Sequence, residues 1–463
     1  MERKNAWKTY TAEQLEHLER TAADYKKFLD EGKTERECVN YFVREAEKAG
    51  YRSLESYMES GEQIKAGDKV YAVNMKKTMV MFQVGTGCFE KGMNILGAHI
   101  DSPRLDLKQN PLYEDTELVY LDTHYYGGIK KYQWVAIPLA LHGVVAKKDG
   151  SVVDVVIGED DNDPIVYITD LLPHLGARQF QKTADVVVEG EQLDILIGSR
   201  PLVEDEDKET KDAVKANILN LLKEKYHIEE EDFLSAEIEV VPAGKARDCG
   251  LDRSMVMGYG QDDRVCAYTS FIAMLEAPVT EKTSCCLFVD KEEVGSIGAT
   301  GMESRFFENT VAELLNCMGA YSELSLRRAL TNSFMLSSDV SAAYDPMYPE
   351  PFEKKNTSYA AHGVVFNKYT GAKGKGGCND ANAEYLGKLR AIMEKHSVVY
   401  QTSELGKVDF GGGGTIAYIL AGYGMNVIDS GVSVLSMHAP WEVTNKADIY
   451  EAYKCYKAFL AEA

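Results

Sequence analysis

Five short segments of this chain carry the residue types that metal-assisted hydrolysis needs. The first is Gly97-Ala98-His99-Ile100-Asp101-Ser102. Residues two apart on an extended segment share a side, so the Asp101 carboxylate can orient the His99 imidazole and support its basicity. The second is Gly260-Gln261-Asp262-Asp263-Arg264. Adjacent aspartates repel, so burying both calls for cations, and Arg264 can answer only one of them. Asp262 is the candidate to bridge two metals; Asp263 is expected to cap the helix that follows. The third, Asp290-Lys291-Glu292-Glu293-Val294-Gly295-Ser296, places two glutamates in a glycine-containing turn. One carboxylate can bind a cation while its neighbour takes a proton from water, a division that suits Glu293 and Glu292. The fourth is Ser337-Ser338-Asp339-Val340-Ser341, and the fifth Ser436-Met437-His438-Ala439-Pro440-Trp441-Glu442, where Pro440 stops the strand before it. Each segment alone reads as a polar strand end or a charged turn. Together they supply His, Asp, Glu, Asp and His, a mixed nitrogen and oxygen set that suits zinc, manganese or cobalt.

The elements that must position these residues follow from periodicity and turn chemistry. Thr11 with Gln14 and Thr34 with Glu37 are capping-box patterns, so two helices are expected to open the chain and to stop near Gly32 and Gly50. Apolar runs predict strands over 69–74, 79–84 and 94–98, the last running into His99. Residues 119–126, 135–145 and 151–157 are β-rich, and 204–225 is charged and helical. After residue 250 the α/β alternation resumes: helices over 263–275, 383–395, 415–421 and 446–460, strands over 284–289, 333–336, 426–429 and 432–436. Each candidate residue lies at or just past a strand's C-terminal end, where open α/β sheets gather their sites. The expected architecture is an α/β catalytic domain of 1–104 and 248–463, split by a β-rich insertion of 105–247.

Composition excludes several classes. A chain of 463 residues with formal charge −22 is a poor partner for nucleic acid or an anionic membrane. No apolar run long enough for a membrane span is present, and the start Met1-Glu2-Arg3-Lys4 has no apolar signal core, so a cytoplasmic location is expected. Nine cysteines without CxxC spacing read as reduced, mostly packing thiols. Cys285 and Cys286 should point to opposite faces of one strand.

The motifs Gly97–Arg104, Asp262-Asp263, Asp290–Ser296, Ser338-Asp339 and Met437-His438 resemble, in order, spacing and placement, the aspartyl aminopeptidase (aminopeptidase I) family of two-metal exopeptidases. The resemblance runs over nearly the whole chain. It implies a mixed-sheet zinc-peptidase domain interrupted by a dimerisation domain, and hydrolysis of the N-terminal residue of peptides. It further implies that His99 and Asp339 bind one divalent metal ion, Glu293 and His438 the other, and that Asp262 bridges them. Zinc is the expected metal, with manganese or cobalt as alternatives. Asp101 would orient His99, and Glu292 would be the general base. Pro173-His174-Leu175 resembles a segment that lends a histidine to a neighbouring subunit's active site, which makes His174 a candidate for substrate binding. Dimers assembled into a tetrahedral dodecamer are implied as well. Acid-preferring members carry a lysine at the position that aligns with Asn367; Lys368 stands beside it and is the substrate-binding candidate there. Two alternatives use the same features: a deacylase or carboxypeptidase with this metal site, and an assembly protein that keeps the fold without catalysis. The presence of Glu292 and all five ligands favours a catalyst.

Overall fold

The computed structural model describes residues 4–203 and 211–463. The described chain falls into two compact units: one runs up to Asp101 and takes in Ala246–Met437 and Glu442–Ala463, the other comprises Ser102–Lys245 with His438–Trp441. No helix among the described residues is long and apolar enough to cross a membrane.

In the first unit both capping boxes form. The Thr11 hydroxyl accepts from Gln14 N while the Gln14 side chain accepts from Thr11 N, which starts the helix Ala12–Glu31. Thr34 and Glu37 do the same for Glu35–Lys48. These helices pack on a nine-stranded mixed sheet whose spatial order is Arg52–Ser53, Lys69–Asn74, Thr78–Gln83, Thr283–Val289, Met93–His99, Phe334–Ser337, Asn426–Gly431, Val364–Asn367, Tyr400–Thr402. Met93–His99 and Thr283–Val289 are buried at every residue. Strands covered on both faces read as continuous apolar runs for this reason. One face packs Phe42, Phe271, Phe288 and Cys286; the other packs Phe82, Leu287, Phe307 and Cys285. The neighbouring cysteines therefore enter different cores, and all nine cysteines are free thiols. Phe42 stacks on Phe288 with centroids 4.4 Å apart and on Phe271 at 4.6 Å; cutting it back to alanine would cost ~3–5 kcal/mol through lost burial and the cavity left behind. A five-stranded sheet, which includes Met255–Gly258 and Glu442–Asn445 as antiparallel neighbours, completes the unit.

In the second unit seven strands form a sheet that closes on itself, because Ala236–Pro242 pairs with both Arg104–Asp115 and Pro138–Ala146. The helix expected over 204–225 is Ala213–Tyr226, and 204–210 lie outside the described residues.

The expectation for Asp263 is corrected. Asp263 is wholly buried with non-helical φ −113° and ψ 27°, and neither of its carboxylate oxygens accepts from a backbone N–H of the following turn, so it does not cap the helix.

Candidate metal centre

Three parallel strands end side by side and deliver the site. Met93–His99 pairs with Thr283–Val289, Val289 opposite His99, and with Phe334–Ser337, Ser337 opposite Gly97. Parallel strands bring their C-terminal ends to one edge. His99, the short turn Glu292–Val294 and Asp339 emerge there. The turn is bounded by Lys291 at φ 72° and Gly295 at φ 98°; a lysine in the left-handed region is a local strain of the kind that packing must hold in place. Gly431 lets the next strand pass close under Asp339, since a Cβ there would sit 1.8 Å from the Asp339 carbonyl oxygen.

Asp262 reaches the same place from the start of its helix. Its backbone is not helical, with φ −83° and ψ 108°. It is held by Glu442, whose Oε2 accepts from Asp262 N at 3.0 Å while the Glu442 carbonyl accepts from Gln261 Nε2 at 2.6 Å. Glu442 is a positioning residue that closes the fifth motif segment, where the sequence gives it no role. No local signal exposes it, because it acts on a segment 180 residues away.

The imidazole of His99 is the hub. Its Nε2 lies 3.2 Å from Asp262 Oδ1, 3.9 Å from Glu292 Oε2 and 4.0 Å from Asp339 Oδ1. Its Nδ1 lies 3.0 Å from the Asp101 carbonyl oxygen and 3.2 Å from Asp101 Oδ1. Asp101 does more than orient the ring: Oδ1 accepts from Glu292 N at 3.2 Å and Oδ2 from Glu293 N at 3.1 Å. One wholly buried carboxylate thus ties the histidine to the backbone that presents both glutamates.

The charge balance of this cluster is one-sided. Burial opposes an imidazolium, yet the hydrogen-bonding carboxylates of Asp101 and Asp262 outweigh it and hold the His99 pKa well above its ordinary value. Burial, and then the charges of Asp263 and Glu292, push Asp339 well above the carboxylate range. Burial does the same to Asp263; His99 opposes the shift and Asp262 adds to it. A buried group of carboxylates around one imidazole needs positive charge to ionise. Within the first unit, two trios of described residues bring ligand atoms within 4.8 Å of one another: His99, Asp262, Asp339 and His99, Glu292, Glu293. With zinc–ligand bonds of about 2.0–2.2 Å, two ligands of one ion stand roughly 3–4 Å apart. The donor set and its spacing therefore fit zinc.

Residues 28–460 match the family described as Aminopeptidase I zinc metalloprotease (M18). The chain is an M18 aminopeptidase. A probable M18 family aminopeptidase 1 of Clostridium acetobutylicum is 62% identical over 459 residues, which cover 99% of this chain and 98% of that relative. The crystal structure of an M18 aminopeptidase from Thermotoga maritima shares 43% identity with a TM-score of 0.95 and covers 100% of both chains. Aminopeptidase I from Clostridium acetobutylicum superposes with a TM-score of 0.92 at 60% identity over 99% of both chains. The fold of the mApe1 dodecamer of S. cerevesiae is shared at a TM-score of 0.76 and 20% identity, over 95% of both chains.

The M18 chain is thus a zinc-family metallopeptidase with an α/β fold of mixed sheets, and its remaining predicted residues fall as follows. His438 opens the segment His438–Trp441 of the second unit, at φ 64°, with Nδ1 3.0 Å from the Gly128 carbonyl oxygen. His174 is exposed on a loop of that unit, between Leu172 and Leu175, which are 50% and 67% exposed. Lys368 follows the strand Val364–Asn367 and is half exposed, its Nζ 3.8 Å from Asp380 Oδ1. Asn367 is buried and donates to Ser341 Oγ at 2.7 Å.

Proposed function

We propose that this M18 enzyme removes the N-terminal residue of peptides with two divalent cations and Glu292 as general base. The observation that carries the reading is the convergence of Asp262, Glu292 and Asp339 within 4.0 Å of His99 Nε2. His99 and Asp339 would hold one ion and Asp262 would bridge to a second; the family resemblance assigns Glu293 and His438 to that second ion. Zinc is the metal the family description supports, with manganese or cobalt able to substitute in an oxygen-rich set. Bound cations supply Lewis acidity, which acidifies water and polarises a carbonyl.

The chain's own groups do the rest. Asp101 fixes the tautomer of His99 by accepting a hydrogen bond from its Nδ1–H, which leaves the Nε2 lone pair to ligate a cation. Through the N–H groups of Glu292 and Glu293 it also fixes the turn that aims both carboxylates. Glu292 is partly exposed, at 16% of its side chain. It can take a proton from the attacking water at a carboxylate oxygen and pass it to the leaving amine. The acidic wall favours a free α-amino group on the substrate, which restricts cleavage to the N-terminus. On the same resemblance, His174 of a neighbouring subunit would bind the substrate or steady the oxyanion, Lys368 would lie beside the substrate side chain, and the enzyme would be a cytoplasmic dodecamer built from dimers.

The test is Glu292→Gln. Zinc content by atomic absorption should match the wild type, while turnover of an aminoacyl-nitroanilide should fall by about 10²–10⁴-fold, the usual contribution of a positioned base. Near wild-type turnover in that variant would remove Glu292 from the role. N-acetylated peptides should not be cleaved; cleavage of them would favour a deacylase.

A further inference from the structure

At the opposite end of the large sheet two ammonium groups meet one aromatic ring. Lys282 stands one residue ahead of the strand Thr283–Val289, with Nζ 3.9 Å from the Phe334 ring centroid. Lys388, on the helix Ala383–Lys395, places its Nζ 4.0 Å from the same centroid. Lys282 has the parity of Ser284; Ser284 pairs with Asn94, and Asn94 pairs on its other side with Phe334. Alternation therefore directs Lys282 and Phe334 to one face of the sheet. Both lysines are half-buried. Among the described residues neither has a carboxylate oxygen within 4.0 Å. The neighbouring Glu281 is engaged by Lys91. Burial, with the charge of Lys388 adding, holds the Lys282 pKa down at about 8, and burial lowers that of Lys388. Glu281 acts on Lys282 only from a distance, and in a chain of net charge −22 a half-buried cationic pair with no carboxylate in contact is out of place.

We propose that Lys282, Lys388 and the Phe334 ring form a binding site for a small oxyanion of the phosphate class. Lysine binds phosphate as a point charge, and the Phe334 ring attracts each ammonium group by its quadrupole. A multiply charged anion in reach of both amines would offset the repulsion that each adds to the other. The strand Thr283–Val289 rises about 3.3 Å per residue, so the pair lies roughly 20 Å from the turn that bears Glu292. Neither lysine belongs to the catalytic machinery, and basal turnover should not depend on them.

The experiment reads Lys282 directly. Metal-loaded, desalted enzyme is pulsed with acetic anhydride near neutral pH, and acetylation of each lysine is followed by peptide mapping. Inorganic phosphate should slow acetylation of Lys282 by about tenfold relative to chloride of equal ionic strength, the scale of one charge-assisted contact. Lys388→Met should remove that protection while leaving peptidase activity unchanged. Protection by adenosine monophosphate as well would mean that the site admits phosphate esters; protection by inorganic phosphate alone would mean a recess closed to them. Equal acetylation rates in phosphate and chloride overturn the proposal. So does a Lys388→Met enzyme that loses mass in light scattering while phosphate is without effect, since the counter-charge would then come from another subunit.

Discussion

Replacing Asp101 with asparagine keeps the shape of the side chain and removes one of its two accepting oxygens. In the native chain both oxygens are used, Oδ1 by Glu292 N at 3.2 Å and Oδ2 by Glu293 N at 3.1 Å, with His99 Nδ1 3.2 Å from Oδ1. An amide can accept on one side only, so an NH₂ group must face either the Glu293 N–H or both the Glu292 N–H and the histidine. A buried donor left unmet costs ~1–3 kcal/mol. Removing the carboxylate behind a ligating histidine typically costs about 10–100-fold in metal affinity, which is ~1.4–2.8 kcal/mol at ~1.4 kcal/mol per tenfold. The two routes agree. The assay is zinc affinity by competition with a fluorescent chelator, together with thermal unfolding of chelator-stripped protein. Affinity should fall about 10–100-fold, and the stripped variant should also unfold at lower temperature, because the 292–293 backbone loses its anchor even without metal. A variant that binds zinc within about twofold of the wild type, well inside the range expected for such a partner, would refute the claim that Asp101 couples the ring to the glutamate turn.

Other outcomes follow from particular groups. Burial holds the Asp429 carboxyl up at about 7, against ~3.9 in an unfolded chain. Its stabilising contribution is complete below the unfolded value and is lost as pH rises through about 7. Asp429→Asn cannot ionise, so in differential scanning fluorimetry its Tm should fall less than that of the wild type between about pH 4 and pH 7, where the unfolded carboxyl is ionised and the buried one is not; parallel curves would show that Asp429 does not titrate there. Lys368→Met should raise KM several-fold for peptides with an acidic N-terminal residue and leave leucyl substrates unchanged if Lys368 contacts the substrate side chain. Equal KM values in variant and wild type would leave Lys368 as a partner of Asp380 alone.

Much of the site was legible because its residues sit at strand ends that local patterning exposes. The short, mostly apolar runs before His99 and Asp290 have the length and content of strands covered on both faces, and the hydroxyl–glutamine and hydroxyl–glutamate spacings at Thr11 and Thr34 name their own helix starts. Thr-x-x-Gln and Thr-x-x-Glu satisfy backbone donors three residues away, so no tertiary partner is needed to read them. The same locality misled at Asp263. A carboxylate at a helix start ordinarily caps it, but here the backbone enters the helix by an extended Asp262, and Asp263 is carried into the interior.

The chain's order of residues by itself determined the chemical kind of the site: a histidine, paired aspartates, paired glutamates and a further aspartate, each at a strand terminus or helix start, together with the sheet that presents them. Only the tertiary structure decided how they are held. Glu442 fixes Asp262 from 180 residues away, Asp101 serves the ring and two backbone amides at once, and Gly431 clears the space beneath Asp339. Periodicity and capping arise from neighbours along the chain. Hydrogen bonds to buried carboxylates and close backbone crossings depend on which distant strands become neighbours in space, and that is settled by packing both faces of one sheet.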